Sequence, residues 1–504
     1  MNSASRDHLE SIVIIGGGAS GWLAAAALAR VLQPNFCSVR VIESPRDATR
    51  GGGQAVLPSF HRLNSLLGIN EFDLLQKTHG SYRLGAEFID WGRAGERYFH
   101  TYGSVGAKLE AVPFHHYWLK LRALGDGTRF DQYSSASMAA RRGRFSTPLS
   151  DRTSMLSTYS YGYHFHEDLL AAYLKQFAQA HGARGMIADI VEVSLRESDG
   201  FIEGLRLAGG ESVRADLYID CSGEANILAR SALKPGFEDW SRWLPCNRAV
   251  SLMTATAEIA SHSPCTAQSA GWSYEIPLQG RVDQGYVYSA EFISNEAALQ
   301  GLSRTMANAA DAIPRVRAFT PGKPRKFWDR NYILLAVNCV DPLESTALHL
   351  VQTGISRLLT LFPVGKFSPQ DMDEYNRITG LEYSRIRDFL TLHFKASARD
   401  DSPFWRHCRS MQMPDSLLTK FELFKRCGRL AMSDEEHFGE ESWLALYFGQ
   451  GVFPERYDPL ADMLEVGDVQ QALTQMRTLI DSGVSTLPSL SQYMDSQRAA
   501  HGHS

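Results

Sequence analysis

An α/β fold with a parallel sheet near the amino end and a mainly helical carboxyl end is predicted from three observations. The first is a β-branched apolar run at residues 12–15 that leads directly into glycines. The second is a later apolar strand at residues 217–220. The third is the change, from about residue 370 onward, to long segments with apolar residues three and four positions apart.

The amino end has the order strand, glycine turn, helix, strand and acid. The glycines at positions 16, 18 and 21 let the backbone approach a pyrophosphate, whose charge lies on the amides of the helix N-terminus. Glu43 stands 22 residues after Gly21, where it can accept a hydrogen bond from a ribose hydroxyl. The order predicts a dinucleotide-binding unit, and the alternative is a glycine-rich turn that only packs a helix on a sheet.

The segment IVEVSLRESDGFIEGLRLAGGESVRADLYIDCSG predicts a β-meander and a closing strand at residues 217–220, which ends in Asp220 and continues as Cys-Ser-Gly. This order is typical of FAD-binding, Rossmann-like proteins of the glutathione-reductase type, since NAD enzymes continue with further βα units. We therefore expect FAD as the cofactor. The glycine-rich segment RGGGQAVLPSF at residues 50–60 is expected to lie against it or to be mobile.

Composition excludes several classes of protein. The 504 residues carry a net charge of −5 with no long basic run, so no nucleic-acid partner is expected. Seven scattered cysteines without a CxxC pair indicate neither disulfides nor a zinc site. His164 and His166 lack a third ligand nearby, so we expect no metal. The short apolar run at the amino end is not a signal peptide, no stretch has the length of a membrane span, and a cytoplasmic protein is expected.

The expected domain organisation has two parts. A discontinuous FAD-binding module with a mixed β-sheet occupies residues 1–370, interrupted by substrate-side segments at about 60–165 and 235–320. A mainly helical substrate lobe occupies residues 371–504.

Several segments together resemble the flavin-dependent tryptophan halogenases nearly end to end. The segments are GGGASGW, VPFHHYWLKL, HFHEDLLAAYLKQF, ADLYIDCSG, GWSYEIPLQGRVDQGYVYS, DPLESTALHL, SARDDSPFWRH and SWLALYFGQGVFPERYDPLAD. The resemblance implies that reduced FAD from a separate flavin reductase, O₂ and chloride or bromide give hypohalous acid. That oxidant crosses a tunnel to an aromatic, indole- or pyrrole-like small molecule in the second lobe, where a lysine and a glutamate handle it. A homodimer is left open.

The resemblance also implies roles for individual residues. Glu344 corresponds to the assisting glutamate, Ser345 acts with it, and Thr346 and Ala347 stand where halide is contacted. The implied substrate-binding residues are His100, Tyr102, Trp272, Tyr274, Trp443 and Tyr447, although Trp443 and Tyr447 have the helical spacing of core residues. The expected cofactor-binding residues are Gly16, Gly18, Ala19, Gly21, Glu43, Gln54, Ala55 and Asp220.

The sequence departs from the family pattern in five places. Tyr274 replaces the second tryptophan of a W-x-W-x-I-P signature, and GGGQAV replaces GVGEAT in the flavin-strap loop. The segment NYILLAVNCVDP is about two residues short, and Ala347 stands in place of a glycine. In GSYRLGAEF, Arg83 occupies the position of the catalytic lysine.

The arginine changes the expected chemistry. A desolvated lysine can offer a neutral amine to hypohalous acid, whereas a guanidinium stays charged and has no lone pair to give. On one continuous strand, Arg83 and Glu87 would share a face, so an internal ion pair is expected. The leading hypothesis is a halogenase-type oxidoreductase. The alternatives are a flavin monooxygenase or oxidase on the same fold, and a catalytically degenerate partner or regulatory protein.

Overall fold

The computed structural model describes residues 8–45, 51–110, 112–233, 236–304, 313–335, 340–365, 367–433 and 436–501. The chain forms two compact units, each assembled from three segments. Unit 1 comprises Met1–Gly80, Phe165–Ser241 and Ala318–Ser384, and unit 2 comprises Ser81–His164, Arg242–Arg317 and Arg385–Ser504.

Strands are numbered in chain order. The first eleven are β1 Ser11–Ile15, β2 Ser38–Glu43, β3 Gly53–Val56, β4 Ser81–Arg83, β5 Gly85–Ile89, β6 Arg97–Thr101, β7 Gly162–His166, β8 Arg184–Ile187, β9 Ile190–Leu195, β10 Ile202–Leu207 and β11 Ser212–Val213. The others are β12 Leu217–Asp220, β13 Phe237–Asp239, β14 Arg248–Ala255, β15 Ser263–Gln268, β16 Gly271–Leu278, β17 Arg281–Tyr288, β18 Arg315–Ala318, β19 Gly322–Pro324, β20 Trp328–Asp329 and β21 Tyr332–Leu334.

Helices are numbered in the same way. They are α1 Ala19–Leu32, α2 Phe60–Leu67, α3 Glu71–Lys77, α4 Phe114–Ala123, α5 Ser135–Arg141, α6 Glu167–Ala180, α7 Asn295–Arg304, α8 Ala347–Thr360, α9 Pro369–Lys395, α10 Pro403–Ser410, α11 Asp415–Cys427, α12 Glu440–Gly449, α13 Val466–Ser485 and α14 Leu490–His501. None of the helices in the described ranges is both long and apolar enough to span a membrane.

Unit 1 is built on a sheet with the strand order β20-β21-β12-β1-β2-β8, in which β21, β12, β1, β2 and β8 run parallel. The predicted first strand is β1, whose apolar residues are buried because the sheet is covered on both faces. Its Ala/Leu-rich neighbour α1 packs against α6 and α8. The predicted meander is confirmed as the antiparallel sheet β9-β10-β11.

Unit 2 contains a seven-stranded sheet with the order β18-β14-β17-β16-β15-β5-β6. Within it, β14, β17, β16 and β15 form an antiparallel run, while β5 pairs in parallel with β15 and antiparallel with β6. The predicted helical segments after residue 370 are confirmed as α9 and α11. The strand β4 lies outside this sheet and pairs with β7, so that Arg83 stands opposite Gly162.

The prediction of one continuous strand over GSYRLGAEF is wrong. The chain forms β4 and β5, separated at Leu84, and Gly85 has a φ of +152°. A Cβ atom at Gly85 would overlap the carbonyl oxygen of His100, so only glycine fits there. The break removes the common face on which Arg83 and Glu87 were expected to meet.

Two adjacent histidines in α4, His115 and His116, are buried. Nε2 of His115 donates to the carbonyl oxygen of Gly428 over 2.8 Å. Burial, with a smaller effect from His116, lowers the pKa of His115 from 6.5 to about 4. The buried ring therefore stays neutral at neutral pH.

We predict a loss of stability in mild acid from His115. At a pH between about 4 and 6.5 the unfolded state binds a proton that the folded state does not, so the free energy of unfolding falls as the pH falls through this window. The expected loss between pH 7 and pH 5 is about 2 kcal/mol. Urea unfolding at pH 7 and pH 5 measures it. His115→Gln should show a flatter dependence on pH, and equal slopes for both proteins would contradict the prediction.

Candidate active site

Three glycines shape the turn between β1 and α1. Gly16 has a φ of +113°, and a Cβ atom there would lie 2.5 Å from the carbonyl oxygen of Cys221. A Cβ atom at Gly21 would overlap the carbonyl oxygen of Gly16. Gly18 is the N-cap of α1, with no side-chain hydrogen bond and no acidic residue in the first turn, which starts at Ala19. The turn is therefore a close backbone cradle with room and charge suited to a pyrophosphate.

Glu43 ends β2 and lies against this turn. Its Oε1 accepts a hydrogen bond from Nζ of Lys175 over 2.7 Å, and its Oε2 accepts one from Nε1 of Trp22 over 3.2 Å. A carboxylate has about four acceptor positions, so the two bonds leave capacity for a ribose hydroxyl. They also hold the carboxylate in place beside Gly17.

Asp220 ends β12 beside the end of β1 and is buried. Its Oδ1 accepts from the amide and the hydroxyl of Ser222, and its Oδ2 accepts from the amide of Leu228. Burial raises the pKa of Asp220, although these bonds oppose the shift. The carboxyl group therefore fixes the loop that follows β12, and its predicted contact with the cofactor stays a prediction.

The strap segment lies in β3. Gln54, which stands where the family pattern has a carboxylate, donates from Nε2 to the carbonyl oxygen of Ala55 over 2.9 Å. Ala55 is buried. The hydroxyl group of Ser59, at the start of α2, is hydrogen-bonded to His349 of α8 at 3.1 Å. This bond joins the strap side of unit 1 to the helix that follows the candidate halide residues.

The candidate catalytic and halide residues lie together where α8 begins. Pro342–Glu344 forms one turn of 3-10 helix, in which Glu344 is 1 % exposed. Ser345 has a φ of +58°, an uncommon conformation for a residue other than glycine, and Thr346 is the N-cap of α8, whose first residue is Ala347. Residues 336–339 of the shortened segment lie outside the described residues.

A buried acid in unit 1 that sequence reasoning missed holds α8 in place. Glu382 of α9 accepts from His349, Thr353 and Arg357, all on α8. These partners outweigh burial and lower the pKa of Glu382 to about 2. The spacing of the sequence gave no signal for this contact, because the partners are 25 to 33 residues away.

In unit 2, Arg83 is 1 % exposed and belongs to a chain of buried hydrogen bonds. Its Nε donates to Oγ of Ser263 over 3.0 Å, and Nε2 of His164 lies 2.8 Å from the same oxygen. Nδ1 of His164 lies 3.0 Å from Oγ of Ser81, which donates to the carbonyl oxygen of Pro277 over 2.7 Å. We name Arg83, Ser263, His164, Ser81 and Pro277 the polar chain.

The direction of each bond in the polar chain follows from its two ends. The carbonyl oxygen of Pro277 can only accept, so Ser81 gives it its hydrogen and accepts from Nδ1–H of His164. Nε2 of His164 then accepts from Ser263, which accepts from Arg83. Burial, followed by the charge of Arg83, holds the pKa of His164 well below its usual range, in agreement with a neutral ring.

The predicted ion pair between Arg83 and Glu87 is wrong. Glu87 pairs instead with Arg97, 3.3 Å away on the neighbouring strand, and with His262 at 3.7 Å. These partners lower the pKa of Glu87 in spite of its burial. Arg83 donates to the hydroxyl oxygens of Ser263 and Tyr102.

The implied substrate-binding residues of unit 2 fall into two groups. His100, Tyr102, Trp443 and Tyr447 belong to one series of ring contacts. The ring centroids of His100 and Tyr102 are 6.5 Å apart, Phe389 lies 5.7 Å from His100 and 5.1 Å from Trp443, and Tyr447 lies 6.2 Å from Trp443. Trp272 and Tyr274 are neighbours on β16, with centroids 5.9 Å apart.

Tyr274 keeps its place on β16 because residue 285 is glycine. A Cβ atom at Gly285 would overlap the Tyr274 ring. Burial of the hydroxyl group, together with Asp283, raises the pKa of Tyr274. The phenol is therefore neutral at ordinary pH. Among the described residues, no group of three or more histidines, cysteines and acids has the arrangement of a metal site.

The parallel sheet, the glycine cradle and the terminal acid define a Rossmann-like, dinucleotide-binding module. Residues 11–466 match the family described as Tryptophan halogenase. BrvH, a flavin-dependent halogenase from Brevundimonas sp. BAL3, is 35 % identical, covers 97 % of this chain and 99 % of its own, and superposes with a TM-score of 0.92. Xcc4156, a flavin-dependent halogenase from Xanthomonas campestris, is 34 % identical, covers 97 % and 98 %, and has a TM-score of 0.92.

Tryptophan 7-halogenase KtzQ from Kutzneria sp. (strain 744) is 29 % identical over 530 residues, which cover 97 % of this chain and 98 % of the relative. The chain belongs to the flavin-dependent tryptophan halogenase family. It is therefore an enzyme of the FAD-dependent halogenase type, and the glycine cradle fits the pyrophosphate of that cofactor.

We predict that Gly21→Ala weakens FAD binding. Alanine normally favours a helix over glycine, but here its methyl group would displace the Gly16 carbonyl and close the cradle. Affinity should fall by about tenfold or more, the equivalent of about 1.4 kcal/mol. Flavin fluorescence titration measures the change. Gly127→Ala is the control, since a Cβ atom there meets nothing within 4 Å, and equal affinities of the two variants would refute the prediction.

We also predict that Ser263→Ala destabilises the protein by about 1–3 kcal/mol. The change leaves Nε of Arg83 and Nε2 of His164 without the oxygen that they share. Chemical denaturation of the variant, with exposed Ser150→Ala as the control, measures the loss. Unfolding midpoints that coincide for both variants would mean that the polar chain adds no stability.

Proposed function

We propose that this enzyme halogenates an aromatic, indole- or pyrrole-like small molecule, using reduced FAD from a separate flavin reductase, O₂ and chloride or bromide. The observation that carries the proposal is the buried carboxyl group of Glu344, which stands with Ser345 and Thr346 at the start of α8. Reduced FAD, when bound, supplies the electrons that turn O₂ and halide into the oxidant. The protein's residues bind, orient and separate the reactants.

The glycine cradle, Glu43, Gln54, Ala55 and Asp220 are proposed to hold the cofactor in unit 1. At the start of α8, Thr346 and Ala347 are proposed to contact halide. Glu344, with Ser345, is proposed to take the proton released when an aromatic ring exchanges hydrogen for halogen. A buried carboxylate suits this step, because a base is most effective where water does not compete for the proton.

In unit 2, the proposed roles are binding of substrate and control of the oxidant. His100, Tyr102, Trp443 and Tyr447 give flat surfaces for an aromatic ring. Trp272 and Tyr274 belong to the segment that, by family resemblance, keeps substrate away from flavin. Arg83 can donate hydrogen bonds to hypohalous acid, but it cannot form a haloamine because its guanidinium has no lone pair to give.

This limit of Arg83 also favours a second candidate function, a flavin monooxygenase or oxidase. The two functions differ in the atom that the product gains. Assay of an aromatic panel with reductase, NADH, O₂ and bromide, read by mass spectrometry, tests both. Products heavier by bromine support the first function, and products heavier only by oxygen support the second.

We predict that Arg83→Lys raises halogenation by roughly tenfold or more, a gain within the range of a positioned acid–base group. A buried lysine can lose its proton and offer an amine, which arginine cannot. Initial rates of brominated product measure the effect, and FAD titration checks that cofactor binding is unchanged. A variant that binds FAD normally but gains no rate would show that the residues around 333–347 limit turnover instead.

A further inference from the structure

Arg83 is a buried cation without a buried counter-ion. The guanidinium is 1 % exposed, yet no carboxylate in the described ranges lies within 4 Å of it. Glu87, the acid nearest in sequence, pairs with Arg97 and His262. Buried charges in proteins are normally paired, because the loss of hydration is large. The site therefore has an unbalanced positive charge.

The two hydrogen bonds of Arg83 do not neutralise this charge. Nε donates to Ser263 and Nη1 donates to Tyr102, and both acceptors are hydroxyl oxygens. The polar chain fixes the first bond, since Ser263 must give its own hydrogen to His164. Nη2 has no acceptor in the part of the chain that the structure describes. The guanidinium is thus held in one orientation with donor capacity left over.

Two aromatic residues of α12 carry further donors. Nε1 of Trp443 and the hydroxyl group of Tyr447 are buried, and neither has a hydrogen-bond partner among the described residues. Nζ of Lys420 lies 4.7 Å from the centre of the Trp443 ring. Lys420 and Arg385 both pair with Glu436, with Arg385 at 3.4 Å. Trp443 and Tyr447 therefore hold unsatisfied donors among the described residues of unit 2.

We propose that Arg83 is the binding point for a singly charged anion, which is either a carboxylate carried by the aromatic substrate or a free halide ion. Both anions accept hydrogen bonds from a guanidinium, and a carboxylate can take two in parallel. The proposal concerns the same site as the proposed function and specifies what binds there. It does not require turnover, so binding and catalysis can fail separately.

The test measures binding to the purified, FAD-loaded protein by isothermal titration calorimetry. The first probe is indole-2-carboxylate, compared with the neutral indole-2-carboxamide, and the second is bromide. Arg83→Met removes the charge. Arg93→Met is the control for net charge, since Arg93 is an exposed arginine of the same unit.

The expected result is that Arg83→Met lowers the affinity for at least one of the two anions by about tenfold or more. A change of this size corresponds to the loss of a charge-assisted hydrogen bond. Arg93→Met should stay within about threefold of the parent. If Arg83→Met weakens the binding of indole-2-carboxylate alone, the anion is a substrate carboxylate. If it weakens the binding of bromide alone, the anion is a halide ion. Equal binding of both probes by the parent and Arg83→Met overturns the proposal.

A second measurement does not depend on the folding of Arg83→Met. Parent crystals soaked in bromide or in indole-2-carboxylate should show the anion within hydrogen-bonding distance of the Arg83 guanidinium. Anomalous scattering identifies bromide. Maps that place neither anion at the guanidinium overturn the proposal even if the enzyme halogenates. An anion at Arg83 in an enzyme without halogenation supports the proposal and counts against the proposed function.

Discussion

The constraint on which the rest of unit 2 depends is the burial of a guanidinium that cannot lose its charge. Burial can lower the pKa of a lysine until the amine is neutral, whereas a buried arginine stays charged. Its donors must therefore be met by fixed acceptors. The protein meets two of them with hydroxyl groups, and each hydroxyl is held by its own partner. Each group in the polar chain donates to the next, and the last acceptor is the backbone oxygen of Pro277.

This arrangement gives His164 a defined state. The ring must donate at Nδ1 and accept at Nε2, and protonation would place a second positive charge beside Arg83. Burial and that charge both favour the neutral form. His164 is therefore explained without a metal or a catalytic proton. His164 lies on β7 opposite Ser81 of β4, the strand that ends in Arg83.

The chemistry at the position of Arg83 follows from the same constraint. Hypohalous acid is a weak acid, and a fixed guanidinium stabilises its conjugate base, which is the poorer electrophile. An amine reacts with the acid directly or donates to it without holding a full charge. A permanent cation at this position is better suited to an anion that must be held than to an oxidant that must be transferred. Under the proposed function, the charge of Arg83 therefore affects which substrate binds.

The sequence predicted features that depend on local order and missed those that depend on pairing between distant strands. The apolar run before the glycines gave β1, and the spacing to Glu43 gave β2, since both signals lie within one supersecondary unit. Ser263 stands 180 residues from Arg83 in the chain, and no local pattern connects them. The helical spacing of the aromatic residues of α12 fits a role in the core and a role in the wall of a pocket equally well.

A single residue, Gly85, explains why the predicted ion pair between Arg83 and Glu87 does not form. Alternation predicts that Arg83 and Glu87 share a face, and it would hold if the strand were continuous. Gly85 has a conformation that other residues rarely adopt, because the His100 carbonyl occupies the space of a side chain. The break at Gly85 lets β5 pair with β15 and β6. Glu87 on β5 then forms ion pairs with Arg97 and His262. Because Gly85 breaks the strand, Glu87 does not pair with Arg83. Under the proposal, the charge of Arg83 is then available to bind an anion.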